Sequence, residues 1–442
     1  MQLIDILNLI NKIAIIMLTI SLIIFFYRLI YIIFGFLKPK KFKETNKLGK
    51  YAILVPARDE SEVIENLLIS IKKQTYDKDF FDVYVITETE DDPTNSIVKS
   101  YGYNVFIRRD LENKHTKGYA LDEVVKDIYS KNLVYDAFFI IDADNIIAKN
   151  YLEEMNKAYF SGIDVAMSYK NVSNISDNWI SCCSGLLFSN INTFQNKAKT
   201  RIFKTMLISG TGFYISNKIL SKFKSFPFTT LTEDYEFSNY LILNKTNVAY
   251  VESTEVYVQQ AVKLSTVNNQ RTRWVKGYLN TNKKLRKKTF KQFFNKNSNK
   301  LGILENKFSL LPNVTFIVST ILYCLALLGV FVASIITQNL ICFKLSLFYF
   351  FRFLLIYQLA LSFYTLLQFI AERKHINISY KQMIIVLLLN PFFINLFIFQ
   401  ALKAIFSKNV NWVKIERIQT NNESVEDFVD LEEESIYEVK NG

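Results

Sequence analysis

Cysteine is scarce in this sequence of 442 residues, which contains only four. Cys182 and Cys183 are adjacent, whereas Cys324 and Cys342 lie within apolar stretches. This spacing matches neither a zinc motif nor the disulfide framework of a small secreted domain. The chain also lacks an internal repeat. The pattern agrees with a reducing, cytosolic environment for the folded part.

Acidic residues are fewer than basic ones, 41 against 53, and the net charge is +12. Nucleic-acid binding is one explanation of such an excess. The distribution favours another, because much of the excess lies just before the C-terminal apolar segments, at Lys283, Lys284, Arg286, Lys287, Lys288, Lys291, Lys296 and Lys300. Basic residues beside membrane spans mark the cytoplasmic side and attract anionic headgroups. We therefore expect a lipid bilayer as partner and no nucleic acid.

The composition, 50% hydrophobic and 21% charged, suits a soluble domain fused to membrane helices. Residues 13–37 are almost wholly apolar, apart from Arg28, and reach the ~20 residues that a span needs. They lack a small-residue cleavage site, which favours a retained anchor over a signal peptide. Residues 38–50 form a basic linker, which predicts that this side is cytoplasmic.

Three C-terminal segments, 308–337, 340–371 and 382–406, are also long enough to span. Lys344 and Arg352 interrupt the second, and Pro391 is expected to kink the third. The domain prediction is an anchor at 1–37, a linker at 38–50, a cytosolic catalytic domain at 51–280, a basic interfacial segment at 281–306, membrane helices at 307–406 and an acidic tail at 407–442.

Between residues 51 and 255, apolar runs alternate with helical patterns. The predicted strands cover 51–55, 83–86 and 135–141, and the predicted helices cover 60–73 and 117–130. This alternation indicates a parallel α/β sheet, and its spacing suits a doubly wound nucleotide-binding fold.

Two carboxylates, Asp142 and Asp144, end the apolar run that begins at residue 135. Chemistry in open α/β sheets collects at the carboxyl ends of strands. Residues two apart on a strand share a face, so both acids could hold one Mg²⁺ that bridges to a substrate phosphate. The alternative is a strand that ends in a solvated turn.

Weaker signals lie at other predicted strand ends. Pro56, Ala57 and Glu60 follow the first strand, where a turn into a helix can receive a nucleotide; helix capping by residues 59 and 60 is the alternative. Glu88 follows the second strand and is a candidate to read a base or ribose, unless it belongs to a solvated loop. Lys117 could meet a diphosphate, although a surface lysine is the simpler interpretation.

Asp234, preceded by Glu233, is a candidate general base. Upstream lies a segment whose two glycines permit close approach of a ligand: Gly210, Thr211, Gly212 and Phe213. On a helix, Gln270, Arg273 and Trp274 share one face, where arginine suits phosphate and tryptophan offers a flat surface to a sugar. The alternative is an interfacial helix with its indole at the headgroups.

Four motifs in this order resemble the membrane-integrated family 2 glycosyltransferases of the synthase type, a group that includes hyaluronan, cellulose and poly-N-acetylglucosamine synthases and ceramide glucosyltransferases. The motifs are Pro56-Ala57-Arg58-Asp59-Glu60, Asp142-Ala143-Asp144, Thr232-Glu233-Asp234 and Gln270-Arg271-Thr272-Arg273-Trp274. The resemblance covers roughly residues 50 to 280. It implies a GT-A-type mixed sheet flanked by helices.

The resemblance also implies roles. Asp142 would contact the nucleotide sugar and Asp144 would bind Mg²⁺ or Mn²⁺, with Asp142 beside it. Asp234 would be the general base. Donor-binding residues would be Pro56, Ala57, Glu60, Glu88, Lys117, Asp142, Gln270, Arg273 and Trp274, and the acceptor side would be Gly210, Thr211, Gly212, Phe213, Glu233 and Trp274. Glu88 departs from the family, which usually has an aspartate at that place.

The resulting expectation is an inverting enzyme of the cell membrane with a cytosolic catalytic domain. It would transfer sugar from a UDP-sugar to a growing polysaccharide through a β-linkage, and could pass the product through its own helices. A single transfer to a membrane lipid is the first alternative. A non-catalytic transporter with a degenerate cytosolic domain is the second. The sequence specifies neither the sugar nor the oligomeric state.

Overall fold

The computed structural model describes residues 3–112, 114–309 and 311–407. The strands are β1 (Tyr51–Pro56), β2 (Phe81–Thr87), β3 (Asn104–Ile107), β4 (Ala137–Ile140), β5 (Asn145–Ile147), β6 (Val165–Val172), β7 (Phe213–Ser216) and β8 (Val248–Val258). The helices are α1 (Leu3–Gly35), α2 (Ile64–Lys72), α3 (Thr94–Ser100), α4 (Lys117–Ser130), α5 (Tyr151–Phe160), α6 (Trp179–Ser189), α7 (Lys197–Ile202), α8 (Asn217–Leu220), α9 (Glu233–Leu243), α10 (Leu264–Phe293), α11 (Lys300–Phe308), α12 (Leu311–Ile336), α13 (Leu340–Ala371) and α14 (Tyr380–Phe406). The acidic tail predicted after residue 407 lies outside the described residues.

The strands form one mixed sheet of eight, in the order β3-β2-β1-β4-β7-β6-β8-β5. The half from β3 to β4 is parallel. Strand β7 runs antiparallel to both β4 and β6, and β5 runs antiparallel to β8 at the edge. The parallel sheet expected from strand–helix alternation is therefore correct for one half only, whereas the mixed GT-A sheet is confirmed. The alternation of strands and helices could not predict the direction of β7, because a long segment of the chain separates β7 from its neighbour β4.

Apolar side chains cover both faces of the central strands. In β1, Tyr51, Ile53 and Val55 pack into the core on one face, and Ala52 and Leu54 pack into the core on the other. Successive residues of a strand point to opposite faces, so a central strand covered on both sides needs an unbroken apolar run. This burial fixes the strands whose ends carry the polar residues of the site.

Among the described residues, three helices are long and apolar enough to cross a membrane: α12 (from Val318 onward), α13 and α14. Helix α1 is 33 residues long and packs against α12, where the Tyr323 hydroxyl donates to Asn11 Oδ1 at 3.0 Å. Its role as an anchor stays a prediction. Helix α14 continues through Pro391. Proline has no backbone N–H to donate to the carbonyl of Leu387, and this carbonyl instead accepts from Ser362 Oγ at 2.7 Å.

The loop between α13 and α14 is joined to the catalytic sheet. His375 stacks on Tyr169 of β6 with 4.1 Å between ring centroids, and its Nδ1 lies 2.6 Å from Glu255 Oε1 of β8. The other oxygen of Glu255 accepts from Asn171 Nδ2 at 2.8 Å, and the Tyr169 hydroxyl donates to Glu372. Burial opposes the charge on Glu255, but its bond to His375 prevails and lowers the pKa of Glu255.

Candidate active site

A chain of hydrogen bonds orients the two carboxylates that follow β4. The backbone N–H of Asp142 donates to Thr211 Oγ1 at 2.9 Å, and the Thr211 hydroxyl donates to Asn145 Oδ1 at 2.5 Å. The amide of Asn145 then donates to Asp144 Oδ1 at 2.9 Å. Thr211, expected on the acceptor side, thus bonds to the backbone of Asp142, and the turn that carries the two partly exposed carboxylates is held by hydrogen bonds.

Lys117 joins the acidic pair to the glycine-containing loop. Its Nζ contacts Asp142 Oδ1 and donates to the carbonyl of Gly210 at 2.7 Å. Burial opposes the charge on Lys117, but Asp142 and Glu233 outweigh it and raise the pKa of Lys117. A Cβ at Gly118 would overlap the carbonyl oxygen of Phe228, so only glycine lets the start of α4 come this close. The surface-lysine interpretation is wrong.

The segment after β1 is tied to the loop after β2. The N–H of Ala57 donates to the carbonyl of Ile86 at 2.8 Å. Asp59 adopts a φ of 51°, its N–H donates to Asp92 Oδ2 at 3.1 Å, and the N–H of Glu60 donates to Thr94 Oγ1 at 3.2 Å. Helix α2 therefore begins at Ile64 rather than at residue 60, and residues 59 and 60 are not its caps.

Glu88 pairs with two guanidinium groups in this structure. One oxygen contacts Arg58 and lies 3.4 Å from Arg108 Nη1. Arg58 also donates to the carbonyl of His115 at 3.0 Å, and Arg108 lies 2.7 Å from Glu123. That Glu88 recognises the base of the donor stays a prediction. It requires the carboxylate to bind the donor while it is paired with Arg58 and Arg108.

The start of α9 and the glycine-containing loop bring Asp234 to the site. Asp234 Oδ1 accepts from the N–H of Tyr235 at 2.7 Å. Gly210 has a φ of 90°, and a Cβ there would lie 3.6 Å from Asp234 Oδ2. Gly212 has a φ of 72°, and a Cβ would lie 2.5 Å from Val256 Cγ1, so glycine is needed at both positions. Phe213 is buried in the core and stacks on Phe237, which argues for packing rather than for contact with an acceptor.

Burial makes both acids of this segment weaker than usual. Burial, with the charge of Asp234, raises the pKa of Glu233 to about 7, while Lys117 opposes the shift. Burial also raises the pKa of Asp234, opposed by the N–H of Tyr235 and by Lys117 and Lys170. An acid whose pKa approaches the working pH is suited to take up a proton during catalysis.

Helix α10 packs tightly against the start of α9. A Cβ at Gly277 would overlap Thr232 Cγ2, and Thr281 Oγ1 lies 3.1 Å from Thr230 Oγ1. This contact brings Arg273 close to the acids. Burial lowers the pKa of Arg273, while the charges of Glu233, Asp234 and Asp142 oppose the shift. A guanidinium stays protonated, so Arg273 presents a permanent positive charge to the cleft.

The other residues of the α10 motif have different surroundings. Trp274 packs edge-to-face on Phe188, with 6.2 Å between ring centroids, and Gln270 is half-buried. Arg271 is buried elsewhere: its guanidinium lies 4.1 Å from the ring centroid of Phe393 in α14. The two arginines of the motif thus contact different parts of the molecule.

Lys170 is a site residue that motif reasoning missed. It lies in β6, a strand with all eight residues buried, and its Nζ donates to the carbonyl of Ser209 and lies 4.5 Å from the ring centroid of Phe188. Burial lowers the pKa of Lys170 to about 8, although Asp142 and Asp234 oppose the shift. Lysine is rarely buried without a partner, so a lysine within a buried strand is the feature that could have identified this residue.

The residues fit a divalent cation shared with a substrate. Within the described ranges no cluster of three or more His, Cys, Asp or Glu side chains could hold a metal by itself. Asp142 and Asp144 are two adjacent carboxylates, and Mg²⁺ commonly combines one or two carboxylates with substrate phosphates and water. That Asp142 and Asp144 bind a metal together with a diphosphate stays a prediction.

The mixed sheet flanked by helices is the GT-A glycosyltransferase fold, with carboxylates gathered at the ends of its strands. Residues 49–277 match the model of the family described as "Glycosyltransferase like family 2", and the chain belongs to this family.

The chain is similar to the probable glycosyltransferase YdaM of Bacillus subtilis (strain 168), with 24% identity over 248 residues. The match covers 54% of this chain and spans 57% of the length of that protein. Among solved structures, the mannosyltransferase PcManGT from Pyrobaculum calidifontis, in complex with GDP-Man and Mn²⁺, aligns with a TM-score of 0.59 at 14% identity. The alignment covers 90% of this chain and 100% of that chain. This likeness shows the fold.

Proposed function

We propose that the protein transfers a sugar from a UDP-sugar to a growing polysaccharide, with inversion and formation of a β-linkage. One observation carries the proposal. A buried aspartate with a raised pKa, Asp234, shares a cleft with the carboxylates after β4 and with the cations Lys117, Lys170 and Arg273. This combination suits a reaction in which an anionic diphosphate departs and a hydroxyl loses a proton.

The donor diphosphate would lie between Lys117 and Arg273, whose charges stabilise the leaving group as its bond to the sugar breaks. Asp142 would contact the donor, and Gln270 and Trp274 would border it. A Mg²⁺ or Mn²⁺ ion bound by Asp144 and Asp142 together with the diphosphate would neutralise further negative charge. PcManGT holds GDP-Man with Mn²⁺, which supports a nucleotide sugar and a divalent ion.

The acceptor would approach over the Gly210–Gly212 loop, with Glu233 and Trp274 beside it. Its hydroxyl oxygen forms a bond to C1 of the sugar while the bond from C1 to the diphosphate oxygen breaks. Asp234 takes up the hydroxyl proton. Because the acceptor attacks opposite the leaving group in a single displacement, the configuration at C1 is inverted. The nearby charges of Lys117 and Lys170 keep part of the Asp234 population ionised.

For the whole chain we propose an integral membrane protein with its catalytic domain, 51–280, on the cytosolic side. The anchor at 1–37, the basic segments at 38–50 and 281–306, and the membrane helices at 307–406 would hold the cleft at the bilayer. Exposed apolar side chains on α12 and α13 support this arrangement.

A single transfer to a membrane lipid is the second candidate. Helix α12 packs on α1 and α13, whereas α14 packs on α10, α6 and α13. So few helices offer little wall for a polysaccharide channel, and a cleft beside the bilayer is open to a lipid acceptor.

The test is a donor panel with the full-length protein in native membranes, with Mg²⁺ or Mn²⁺ and release of the nucleoside diphosphate as readout. The panel contains UDP-glucose, UDP-N-acetylglucosamine, UDP-glucuronate and GDP-mannose. We expect release with one UDP-sugar, and release slower by roughly 10²- to 10⁴-fold with Asp234→Asn. Release with GDP-mannose alone would overturn the UDP assignment, and no metal-dependent release with any donor would overturn the proposed transfer.

Product size separates the two acceptors. With labelled donor, a ladder or polymer supports polysaccharide synthesis. A single increment on a lipid-extractable product supports the second candidate and overturns the first.

A further inference from the structure

Both ends of α14 contact the catalytic domain. Near its start, Gln382 Nε2 donates to the carbonyl of Ile175 at 3.3 Å. Just past its end, the carbonyl of Ser407 accepts from Lys276 Nζ at 2.6 Å, and that of Ala404 accepts from the same amine at 3.2 Å. Lys276 is the neighbour of Gly277, which touches Thr232 beside the catalytic acids. The end of α14 therefore lies close to the site.

This placement conflicts with a helix that crosses the bilayer. Helix α14 has 27 residues, which gives a length of about 40 Å. A span crosses about 30 Å of hydrocarbon, so its two ends emerge on opposite sides. A domain on one side of the membrane cannot hold both ends of such a helix. The prediction that segment 382–406 spans the membrane rests on length and apolar composition alone.

The contacts with the domain follow one face along the whole helix. Between the two ends, Phe393 carries the guanidinium of Arg271 over its ring, and Gln400 Nε2 donates to Asn268 Oδ1 at 2.7 Å. The contacting residues of α14 are Gln382, Phe393, Gln400, Ala404 and Ser407. Relative to the first, the others lie about 3, 5, 6 and 7 turns along at 3.6 residues a turn, so all share one face.

The opposite face of α14 is apolar and is exposed except where α13 crosses it, at Asn395 Oδ1, which accepts from the Tyr357 hydroxyl at 2.6 Å, and at the carbonyl of Leu388, which accepts from Gln358 Nε2 at 2.9 Å. The apolar residues of this face are between 47% and 81% exposed: Ile384, Leu388, Phe392, Phe399, Leu402 and Phe406. Helix α13 differs, because Leu354, Leu355 and Ile356 are consecutive and all exposed, so they face several directions, as in a span surrounded by lipid. One polar, docked face and one apolar, open face are typical of a helix that lies in the membrane interface.

We infer that α14 lies in the plane of the membrane, its apolar face inserted in the lipid surface and its other face against α10 and α6. The apolar face is thus a docking surface for the bilayer. Ser407, just past the end of the helix, then lies on the same side as the catalytic domain. The inference does not depend on which sugar is transferred.

Cysteine labelling in intact and permeabilised cells tests this sidedness. Single cysteines would replace Gln338 (between α12 and α13), Lys374 (between α13 and α14) and Ser407, with the unsubstituted protein as background, and a membrane-impermeant maleimide as probe. We expect Ser407→Cys to behave like Lys374→Cys and opposite to Gln338→Cys. Agreement of Ser407→Cys with Gln338→Cys instead would overturn the inference, whichever side the domain occupies.

A charge placed midway along each helix gives an independent measurement. A lysine at the centre of a span is costly, whereas one on an interfacial helix can extend its ammonium to the headgroups. We expect Phe392→Lys to keep a membrane-bound level within about twofold of the unsubstituted protein, and Leu355→Lys in α13 to lose most of it. Equal losses in both variants would contradict the in-plane placement.

Discussion

In the proposed function Lys117 lies on the donor side and Lys170 on the acceptor side. The charges of Asp142 and Asp234 influence both lysines, yet their pKa values shift in opposite directions. Lys117, on the donor side, contacts Asp142 directly, and its pKa rises. Lys170, on the acceptor side, bonds to a neutral carbonyl and packs on a ring, and its pKa falls to about 8. Desolvation opposes the charge of both lysines, so the direct carboxylate partner of Lys117 accounts for the difference.

The comparison extends to the whole cleft. On the proposed donor side, the raised pKa of Lys117 favours its charged form, which suits an anionic diphosphate. On the acceptor side, Glu233 and Lys170 have pKa values of about 7 and about 8, and the pKa of Asp234 is raised. Groups whose pKa lies close to neutral pH exchange protons readily under physiological conditions. Variants on the two sides should therefore fail in different ways.

The largest effect is expected from Asp234→Asn. An amide cannot take up the acceptor proton, and loss of a general base lowers rates by roughly 10²- to 10⁴-fold. Transfer should fall by that factor while the Kd for UDP, measured by titration calorimetry, stays within about twofold, because the donor side is unchanged. Asp164→Asn, at the opposite end of β6, is the matched control. Transfer at the unsubstituted rate would show that another group is the base.

The donor side should respond through binding. Lys117→Met removes a charged donor from Asp142 and from the diphosphate, and a bond to a charged group contributes about 1.5–3 kcal/mol. The Kd for UDP should rise by about 10- to 100-fold. Lys218→Met, which removes an exposed lysine paired with Asp164, is the control. An unchanged Kd would place the diphosphate away from Lys117.

The contact that holds α10 beside the acids can be tested by stability. Gly277→Ala places a methyl group into Thr232 Cγ2, and overpacking typically costs about 1–3 kcal/mol. The Tm should fall, and Thr232→Ser, which removes that methyl, should restore part of the loss. Gly329→Ala is the control, because a Cβ there meets no atom within 4 Å. Equal Tm values for the two alanine variants would argue against close packing at Gly277.

The smallest effect is a shift of the pH profile in Lys170→Met. The charge of Lys170 lowers the pKa of Asp234, so its removal lets that pKa rise. The acid limb of kcat should move to higher pH, because more Asp234 is protonated at a given pH. The difference from the unsubstituted protein should shrink above pH of about 8, where Lys170 loses its own charge. Lys170→Arg should restore the limb; an unmoved limb would exclude this coupling.

Local signals in the sequence predicted much of the framework. The helix expected at 117–130 has those bounds in the structure, and the run at 135–141 contains β4. Helix α2 starts four residues late because a tertiary contact, from the N–H of Asp59 to Asp92, holds the preceding turn. The direction of β7 likewise depends on pairing with distant strands, which no local pattern encodes.

Part of the candidate site could also be predicted from local sequence signals. Asp142, Asp144, Asp234 and Arg273 lie in short motifs at element boundaries, where the chain itself marks polar positions. Lys170 lies within a strand, and only burial by surrounding elements gives it significance. The pairing of Glu88 with Arg58 and Arg108 arises in the same way, from loops that meet only in the folded chain.

Tyr169 and Lys170 are neighbours on β6, so their side chains leave the strand on opposite faces. Tyr169 bonds to Glu372 and stacks on His375 in the loop after α13, and Lys170 lies in the candidate active site. Strand β6 therefore separates the candidate active site on one face from the loop after α13 on the other. A fragment truncated before α12 would remove Glu372 and His375, so Tyr169 would lose both contacts and Glu255 would lose its bond to His375 and keep its bond from Asn171; such a fragment would be a poor substitute for the intact protein.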